Sequence, residues 1–520
     1  MGITEFLTQP IGNLADCVRL HAAERPGHVA VVDSRGSLTY AEFDALADRV
    51  ATALQRDGLE PGASLAICAA ASIEYAAILI GGLRAGVALV PLAPSSTPAS
   101  LAGMVEDSDA RVFFVDADVL REIEPVKDRI QARLIGLADA PAGLAFEAWL
   151  APHGSRPQAH AIAPHQVFNI IYSSGTTGTP KGIVHAHALR WNQIRRVQES
   201  GGYGPDAVTL ISTPLYSNTT LVSFIPTLAL GGTAVLMPKF DAQRYLQLAA
   251  QHRVTHSMLV PVQYQRLMAR ADFGDYDLSS YRMKFSTSAP LSAALKADIL
   301  KRWPGGLVEY YGMTEGGGSC VLAAHEFPNK LHTVGKPMEG HDIRLIDDDG
   351  NEVPVGEIGE VVGHSNAIMA GYHKQPEKTT AAEWRDATGK LFIRTGDVGR
   401  FDEDGFLTLM DRKKDMIISG GFNIYPSDLE GILQQHPEVL DCAVVGVPSQ
   451  RWGETPVAFV VRRDGATVSG DALMAWTNEQ VGKTQRLAVL ELVDVLPRSA
   501  IGKVLKRELR DGFRPGRPLD

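Results

Sequence analysis

Apolar positions fall in short runs separated by amphipathic stretches along most of the chain. Val29-Ala30-Val31-Val32 reads as a strand, followed by a turn at Asp33-Ser34-Arg35-Gly36. Thr39-Tyr40-Ala41-Glu42 has the spacing of a capping box and predicts a helix to about Leu54. Ser64 to Cys68 reads as a strand, Ser72 to about Ala85 as a helix and Val87 to Leu92 as a strand. This alternation predicts an α/β fold with parallel sheets. Val112–Val115, Val167–Tyr172, Thr209–Ser212 and Thr233–Met237 are further strand-like runs. The pattern changes after about residue 340. Asp342-Ile343-Arg344-Leu345-Ile346 alternates, Asp347 to Asn351 is a turn, and Gly359 to Gly363 follows as a short strand. This predicts antiparallel hairpins forming a small distorted β-barrel. From Asp411 onward a compact α+β unit is expected, with Cys442–Val447 and Val457–Val461 as its clearest strands.

The chain has 520 residues, too many for one core, so at least two domains are expected. It is 45% hydrophobic and 21% charged, an ordinary globular balance. The net charge is −10 without a long basic run, which argues against nucleic acid as a partner. Any phosphate-bearing ligand must therefore be held by local groups rather than by a global positive field. The four cysteines are widely spaced with no C-x-x-C, which suits a reducing compartment and no structural zinc. No basic region followed by an apolar stretch opens the chain, and Phe6 stands where myristoylation needs Ser or Thr. The apolar run Tyr75 to Leu83 is too short to span a bilayer and stops at Arg84, so it reads as a buried helix. A cytoplasmic protein without stable membrane insertion is expected.

The densest chemistry lies in Tyr172-Ser173-Ser174-Gly175-Thr176-Thr177-Gly178-Thr179-Pro180-Lys181-Gly182, after the strand-like Val167–Tyr172. Glycines let backbone N–H groups approach an anion, hydroxyls add donors, and Lys181 adds charge: a phosphate cradle. It is not a Walker loop. Counted from Gly175, Pro180 stands where the second glycine is needed, and Gly182 follows the lysine in place of Ser or Thr.

This loop resembles the signature of the adenylate-forming superfamily, which includes acyl- and aryl-CoA synthetases, luciferases and adenylation domains. Tyr310-Tyr311-Gly312-Met313-Thr314-Glu315, Arg394-Thr395-Gly396-Asp397, Asp411-Arg412-Lys413-Lys414-Asp415, Gly420-Gly421-Phe422-Asn423-Ile424-Tyr425-Pro426 and Pro497-Arg498-Ser499-Ala500-Ile501-Gly502-Lys503 follow in the family's order, over nearly the whole chain. The resemblance implies an N-terminal AMP-binding domain over 1–410, a hinge at 411–414 pivoting on Lys414, and a mobile lid over 415–520. It implies ATP, Mg²⁺ and coenzyme A as co-substrates and cofactor. Ser173, Ser174, Gly175, Thr176, Thr177 and Lys181 would hold the β- and γ-phosphates. Glu315 would bind the metal and Thr314 the α-phosphate. Tyr311 with Gly312 would face adenine opposite Ser288 and Ala289, Asp397 would accept from the ribose hydroxyls, and Arg412 would lie near ribose and phosphate. Lys503 resembles the lysine required for adenylation. Gly420, Gly421, Phe422, Trp452 and Arg486 would meet CoA. Thr484-Gln485-Arg486-Leu487 departs from the family's Tyr-Lys-x-Pro, which leaves Lys483 and Arg486 as alternatives for the CoA phosphate contact.

The implied acid pocket takes Tyr216, Ser217, Thr219, Gly316 and Gly317. Ser217 stands where many relatives carry a histidine gate. No Asp or Glu lies between Ile211 and Phe240, which disfavours an α-amino acid, whose ammonium needs a buried carboxylate. The resemblance therefore implies an AMP-forming acid–CoA ligase for an aromatic or cinnamic-type acid. A medium-chain or alicyclic fatty acid ligase, a stand-alone loader of a carrier protein and a non-catalytic nucleotide binder are the alternatives. It allows a homodimer, and a lysine acetyltransferase with its deacetylase acting on Lys503.

Overall fold

The computed structural model describes residues 1–138, 140, 143–173, 180–199, 202–419, 422–449, 451–482, 485–499 and 502–514. Two compact units emerge. The first comprises Met1–His332, Pro337–Asp342 and His364–Ile393; the second comprises Thr333–Lys336, Ile343–Gly363 and Arg394–Asp520. The expected pivot at 411–414 concerns motion, and its residues lie inside the second unit.

The first unit is the α/β body read from the alternating pattern. One sheet is ordered Gly371–Tyr372, Gly182–Ala186, Val167–Tyr172, Ala88–Pro91, Ser64–Cys68, Ala110–Val115, Arg133–Gly136. Its last five strands pair in parallel, and Gly182–Ala186 returns antiparallel to Val167–Tyr172. A second sheet runs from Ser319–Ala323 through Gly306–Gly312, Met283–Ser286, His256–Leu259, Val208–Ile211, Thr233–Leu236 and Val29–Asp33 to Gly36–Thr39. The capping box forms as read: Thr39 accepts from the Glu42 N–H and starts the helix Tyr40–Arg56. The run that ended at Arg84 is the buried helix Ile73–Arg84. Arg84 is itself buried and paired with Asp44 at 2.5 Å and Asp48 at 2.8 Å on the Tyr40–Arg56 helix. Removing one partner of such a buried set costs about 3–5 kcal/mol. All four cysteines are free and buried. Among the described residues no helix is long and apolar enough to cross a membrane.

The second unit carries the antiparallel strands expected after residue 340. Within it, Asp397–Phe401 pairs with Leu407–Arg412 across a register shift at Val398/Gly399. Its C-terminal sheet is ordered Phe422–Ile424, Ile417–Ser419, Gly453–Arg462, Val439–Ser449, and Val489–Leu492 joins Gly453–Arg462 in parallel. Ile417, Leu429, Leu433, Val444 and Val460 bury one face; Val445, Val457, Phe459 and Leu509 bury the other.

Candidate active site

In the first unit the ends of the Ser/Gly/Thr loop are pinned by the sheet. Tyr172 stands opposite Gly182, and the Ser173 N–H donates to the Lys181 carbonyl at 3.0 Å. Ser174, Gly175, Thr176 and Thr177 lie outside the described residues. The two-residue strand Gly371–Tyr372 pairs with Gly182–Ala186 and sets Tyr372 beside Lys181, whose Nζ lies 4.9 Å from the Tyr372 ring centroid. The Tyr372 hydroxyl donates to Glu315 Oε1 at 2.9 Å. Burial, then the Glu315 charge, raise the Tyr372 phenol well above its usual range, so it stays a donor. Lys181, Tyr372 and Glu315 thus form a line of cation, aromatic ring and carboxylate. Tyr372 carries no motif in the sequence; only its strand pairing brings it here.

Glu315 sits in the connection between Gly306–Gly312 and Ser319–Ala323, which pair antiparallel with Gly312 opposite Ser319. Gly316 has φ +76°, and a Cβ there would lie 1.8 Å from the Ala367 carbonyl oxygen. Its missing side chain therefore admits the Ala367 backbone. The Ser365 hydroxyl donates to the Gly316 carbonyl at 2.7 Å, and the Met369 N–H donates to the Glu315 carbonyl at 2.9 Å. Behind Thr314 lies a buried network without a sequence signature beyond the strand end Val184-His185-Ala186-His187. His185 Nε2 donates to the Thr314 carbonyl at 2.7 Å, while its Nδ1 accepts from Arg190 at 2.9 Å and from Asn169 at 3.2 Å. Burial lowers the His185 pKa to about 3, which keeps the ring neutral with its proton on Nε2. Arg190 is buried and also donates to Asn169 Oδ1 at 2.9 and 3.1 Å. Burial brings its pKa down to about 9.

Tyr311 lies on the face of its strand shared by Glu309, one side of the expected adenine slot. Glu309 accepts the Leu291 N–H at 3.0 Å, which ties the Ser288-Ala289-Pro290 turn to that strand. Ser288 adopts φ +80° and its hydroxyl meets Thr219 Oγ1 at 2.5 Å, so the first turn of the helix Asn218–Ala229 is joined to the same turn. Ser217 is the N-cap residue of that helix. Tyr216 is partly buried beside Cys68 and Ser95, and burial pushes its phenol up to about 12.

In the second unit Asp397 and Arg412 face each other across the antiparallel pair, and Arg412 Nε lies 3.2 Å from Asp397 Oδ1. The Asp397 N–H donates to Thr395 Oγ1 at 3.0 Å, and Gly396 takes φ +70°, the conformation that lets the strand bend there. Lys503 closes a tight turn: the Ser499 N–H donates to the Lys503 carbonyl at 2.8 Å, and Gly502 has φ +79°. Arg498 clamps this turn, donating to the Gly502 carbonyl and to Asp441 Oδ2, both at 2.5 Å. Burial lowers the Lys414 ammonium pKa. Trp452 is 44% exposed with Arg451 stacked on it at 4.7 Å, so it is not core packing. Arg486 is exposed. Gly420, Gly421, Lys483, Thr484 and the Phe422 side chain lie outside the described residues.

Comparison with known proteins decides the family. The family described as AMP-binding enzyme matches residues 18–373, and the AMP-binding enzyme C-terminal domain matches residues 428–503. The chain belongs to the AMP-binding, adenylate-forming enzymes. Among relatives, a feruloyl-CoA synthase of Amycolatopsis sp is 35% identical over 493 residues, covering 94% of this chain and 96% of that protein. A fatty acid–[acyl-carrier-protein] ligase, ScoC of Streptomyces coeruleorubidus, is 32% identical, covering 96% of each. ATP-bound MatB from Rhodopseudomonas palustris superposes with a TM-score of 0.87 at 29% identity, covering 96% of this chain and 99% of that one. The α/β body and small C-terminal α+β part expected from the sequence are those of this family.

Proposed function

We propose that this AMP-binding enzyme is an ATP-dependent carboxylic acid–CoA ligase, acting through an acyl-AMP and releasing AMP and pyrophosphate. The observation that carries the reading is the Lys181–Tyr372–Glu315 line: a cation and a braced carboxylate at the end of a hydroxyl-rich loop, in a chain matched by both AMP-binding families. Joining a carboxylate to ATP brings an anion against a polyanion, so fixed positive charge and oriented donors supply the rate. Lys181 neutralises phosphate charge. The His185 network holds the Thr314 carbonyl, which fixes the plane of the peptide that leads into Glu315. Asp397 is oriented by Arg412 to accept from a diol. Lys503 supplies the mobile charge for the carboxylate–phosphate encounter. Trp452, Gly420, Gly421 and Arg486 are assigned to CoA, and Lys414 to the pivot between half-reactions.

Glu315 fits Mg²⁺. It is a hard carboxylate with one oxygen braced by Tyr372, and among the described residues no cluster of three metal-ligating side chains exists. One carboxylate plus phosphate oxygens is the usual way protein holds this ion. When bound, Mg²⁺ neutralises phosphate charge as a Lewis acid. Tyr372→Phe removes the brace and keeps the ring over Lys181. It should weaken apparent Mg²⁺ affinity about 10-fold, read from the metal dependence of pyrophosphate exchange; unchanged dependence would remove Tyr372 from the site.

The acid is assigned as aromatic or cinnamic-type. A second reading, transfer to a carrier protein, is favoured by one observation, the relative named fatty acid–[acyl-carrier-protein] ligase. Thioester formation with free CoA against a purified carrier protein, over benzoates, cinnamates, alicyclic acids and fatty acids, separates the two. No transfer to free CoA with any acid would favour the loader.

A further inference from the structure

Tyr372, whose hydroxyl braces Glu315, stands on a strand of two residues at the edge of its sheet. Gly371 and Tyr372 pair with Val184 and Ile183, and the His373 N–H adds one more ladder bond, to the Gly182 carbonyl at 2.7 Å. So short an edge pairing holds a side chain weakly by itself, since strands usually run about 3–10 residues. The rest of the hold comes from the end of the helix Pro98–Asp107. The His373 ring donates from Nε2 to the Asp107 carbonyl at 3.0 Å; a carbonyl only accepts, so that nitrogen carries the proton. The Lys374 ammonium donates to the same carbonyl at 2.6 Å and pairs with Asp109 at 2.8 Å. Carbonyls at a helix C-terminus lack partners within the helix and favour such donors. Asp109 and Lys374 both take φ +52°, a conformation that residues with a side chain seldom adopt unless their surroundings hold them.

The same helix end takes the strand that opens the hydroxyl-rich loop. The Tyr172 hydroxyl donates to Asp107 Oδ2 at 2.5 Å. Burial, then the bond to Asp107, raise the Tyr172 phenol well above its usual range, so it stays the donor. Gly182 completes the join. A Cβ there would stand 3.1 Å from His373 Cβ and 3.2 Å from Tyr172 Cε1, so its missing side chain lets both residues pack against it. Asp107 thus holds the strand entering the loop with its carboxylate and the turn after Tyr372 with its carbonyl.

We propose that Asp107 is the anchor that places Tyr372 against Glu315, with His373 and Tyr172 as positioning residues. They act through Tyr372. The His373 ring keeps the turn on the sheet edge, and Tyr172 ties the helix end to the neighbouring strand. A brace behind a metal-binding carboxylate must itself be fixed if it is to orient that carboxylate. The inference rests on the reading of Glu315 as the carboxylate that meets Mg²⁺.

The test uses the full chain without acid, so that binding is read apart from turnover. Calorimetry gives the Kd of ATP with Mg²⁺ and with a chelator in its place, and the ratio of the two is the metal's contribution. Glu315→Gln should lower that ratio. His373→Leu should lower it about 10-fold, the usual loss when a group behind a metal ligand is removed, and His373→Gln, which keeps an N–H donor, should recover most of it. Tyr172→Phe should lower it about 3- to 10-fold, the worth of one hydrogen bond. Neither His373→Leu nor Tyr172→Phe should change the Kd of ATP in chelator by more than about 2-fold, and in a Tyr372→Phe background their effect on the ratio should shrink to that size. Tyr172→Phe removes one oxygen and keeps the ring, so it stays readable if His373→Leu does not fold. No pyrophosphate exchange by the intact chain with any acid would overturn the ligase reading itself. A ratio unmoved by Glu315→Gln would overturn Glu315 as the metal-binding carboxylate, and the anchor with it. A ratio lowered by Glu315→Gln yet unmoved by His373→Leu and Tyr172→Phe, or equal losses with and without metal in those two variants, would overturn the anchor alone.

Discussion

Lys503→Ala should abolish formation of acyl-AMP while sparing thioester formation from supplied acyl-adenylate. The turn that presents Lys503 is held by the Arg498 guanidinium on the Gly502 carbonyl and by the Ser499 N–H on the Lys503 carbonyl, contacts that an alanine at 503 keeps. The truncation therefore removes charge without dismantling the turn. Loss of one preorganised charge-stabilising donor at a reacting phosphate costs about 10²- to 10³-fold. Acid-dependent pyrophosphate exchange should fall by at least that factor, whereas CoA acylation from synthetic acyl-AMP should stay within about 3-fold, since it needs no new adenylate. Lys414→Pro should do the reverse, because a fixed φ at the proposed pivot hinders the second step. Equal losses in both half-reactions for both variants would contradict a division of labour between two arrangements of residues 415–520. Acetylation of Lys503 should mimic the alanine variant by removing the same charge.

Gly316→Ala should be nearly inactive although folded. The added Cβ would stand 1.8 Å from the Ala367 carbonyl oxygen, in a φ +76° conformation that L-residues rarely adopt. Overpacking and left-handed strain each cost about 1–3 kcal/mol. The loop can escape both only by shifting, and Glu315 is the adjacent residue. A drop of about 100-fold or more in kcat/KM is expected, with melting lowered by a few degrees. Gly103→Ala is the control: an added Cβ there meets nothing within 4 Å, so stability should hold or rise by about 1 kcal/mol at most, with activity unchanged. If Gly316→Ala retains full activity, the contact with Ala367 does not position Glu315.

What the sequence made legible was local or periodic. The Thr39–Glu42 box, the Val167–Tyr172 strand and the buried helix ending near Arg84 follow from side chains that act within one turn or one strand, and all three form. The order of motifs pointed to the family for the same reason: each motif is a short loop with its own glycines and charges. Tyr372, His185 and Arg190 were not legible, because each gains its role from a partner on another element. Tyr372 reaches Glu315 across 57 positions and His185 reaches Thr314 across 129. Gly316 shows the converse case. A glycine-rich turn suggested space for substrate, whereas at Gly316 the absent side chain is taken up by the protein's own Ala367 backbone.

Acid-dependent exchange of labelled pyrophosphate into ATP, without CoA and with the purified full chain, tests the central claim most directly. An acyl-AMP ligase should show exchange only when both Mg²⁺ and an accepted acid are present. On adding CoA it should yield AMP and pyrophosphate in equal amounts with the acyl thioester. Release of ADP and phosphate instead, with no pyrophosphate exchange for any acid, would contradict the account.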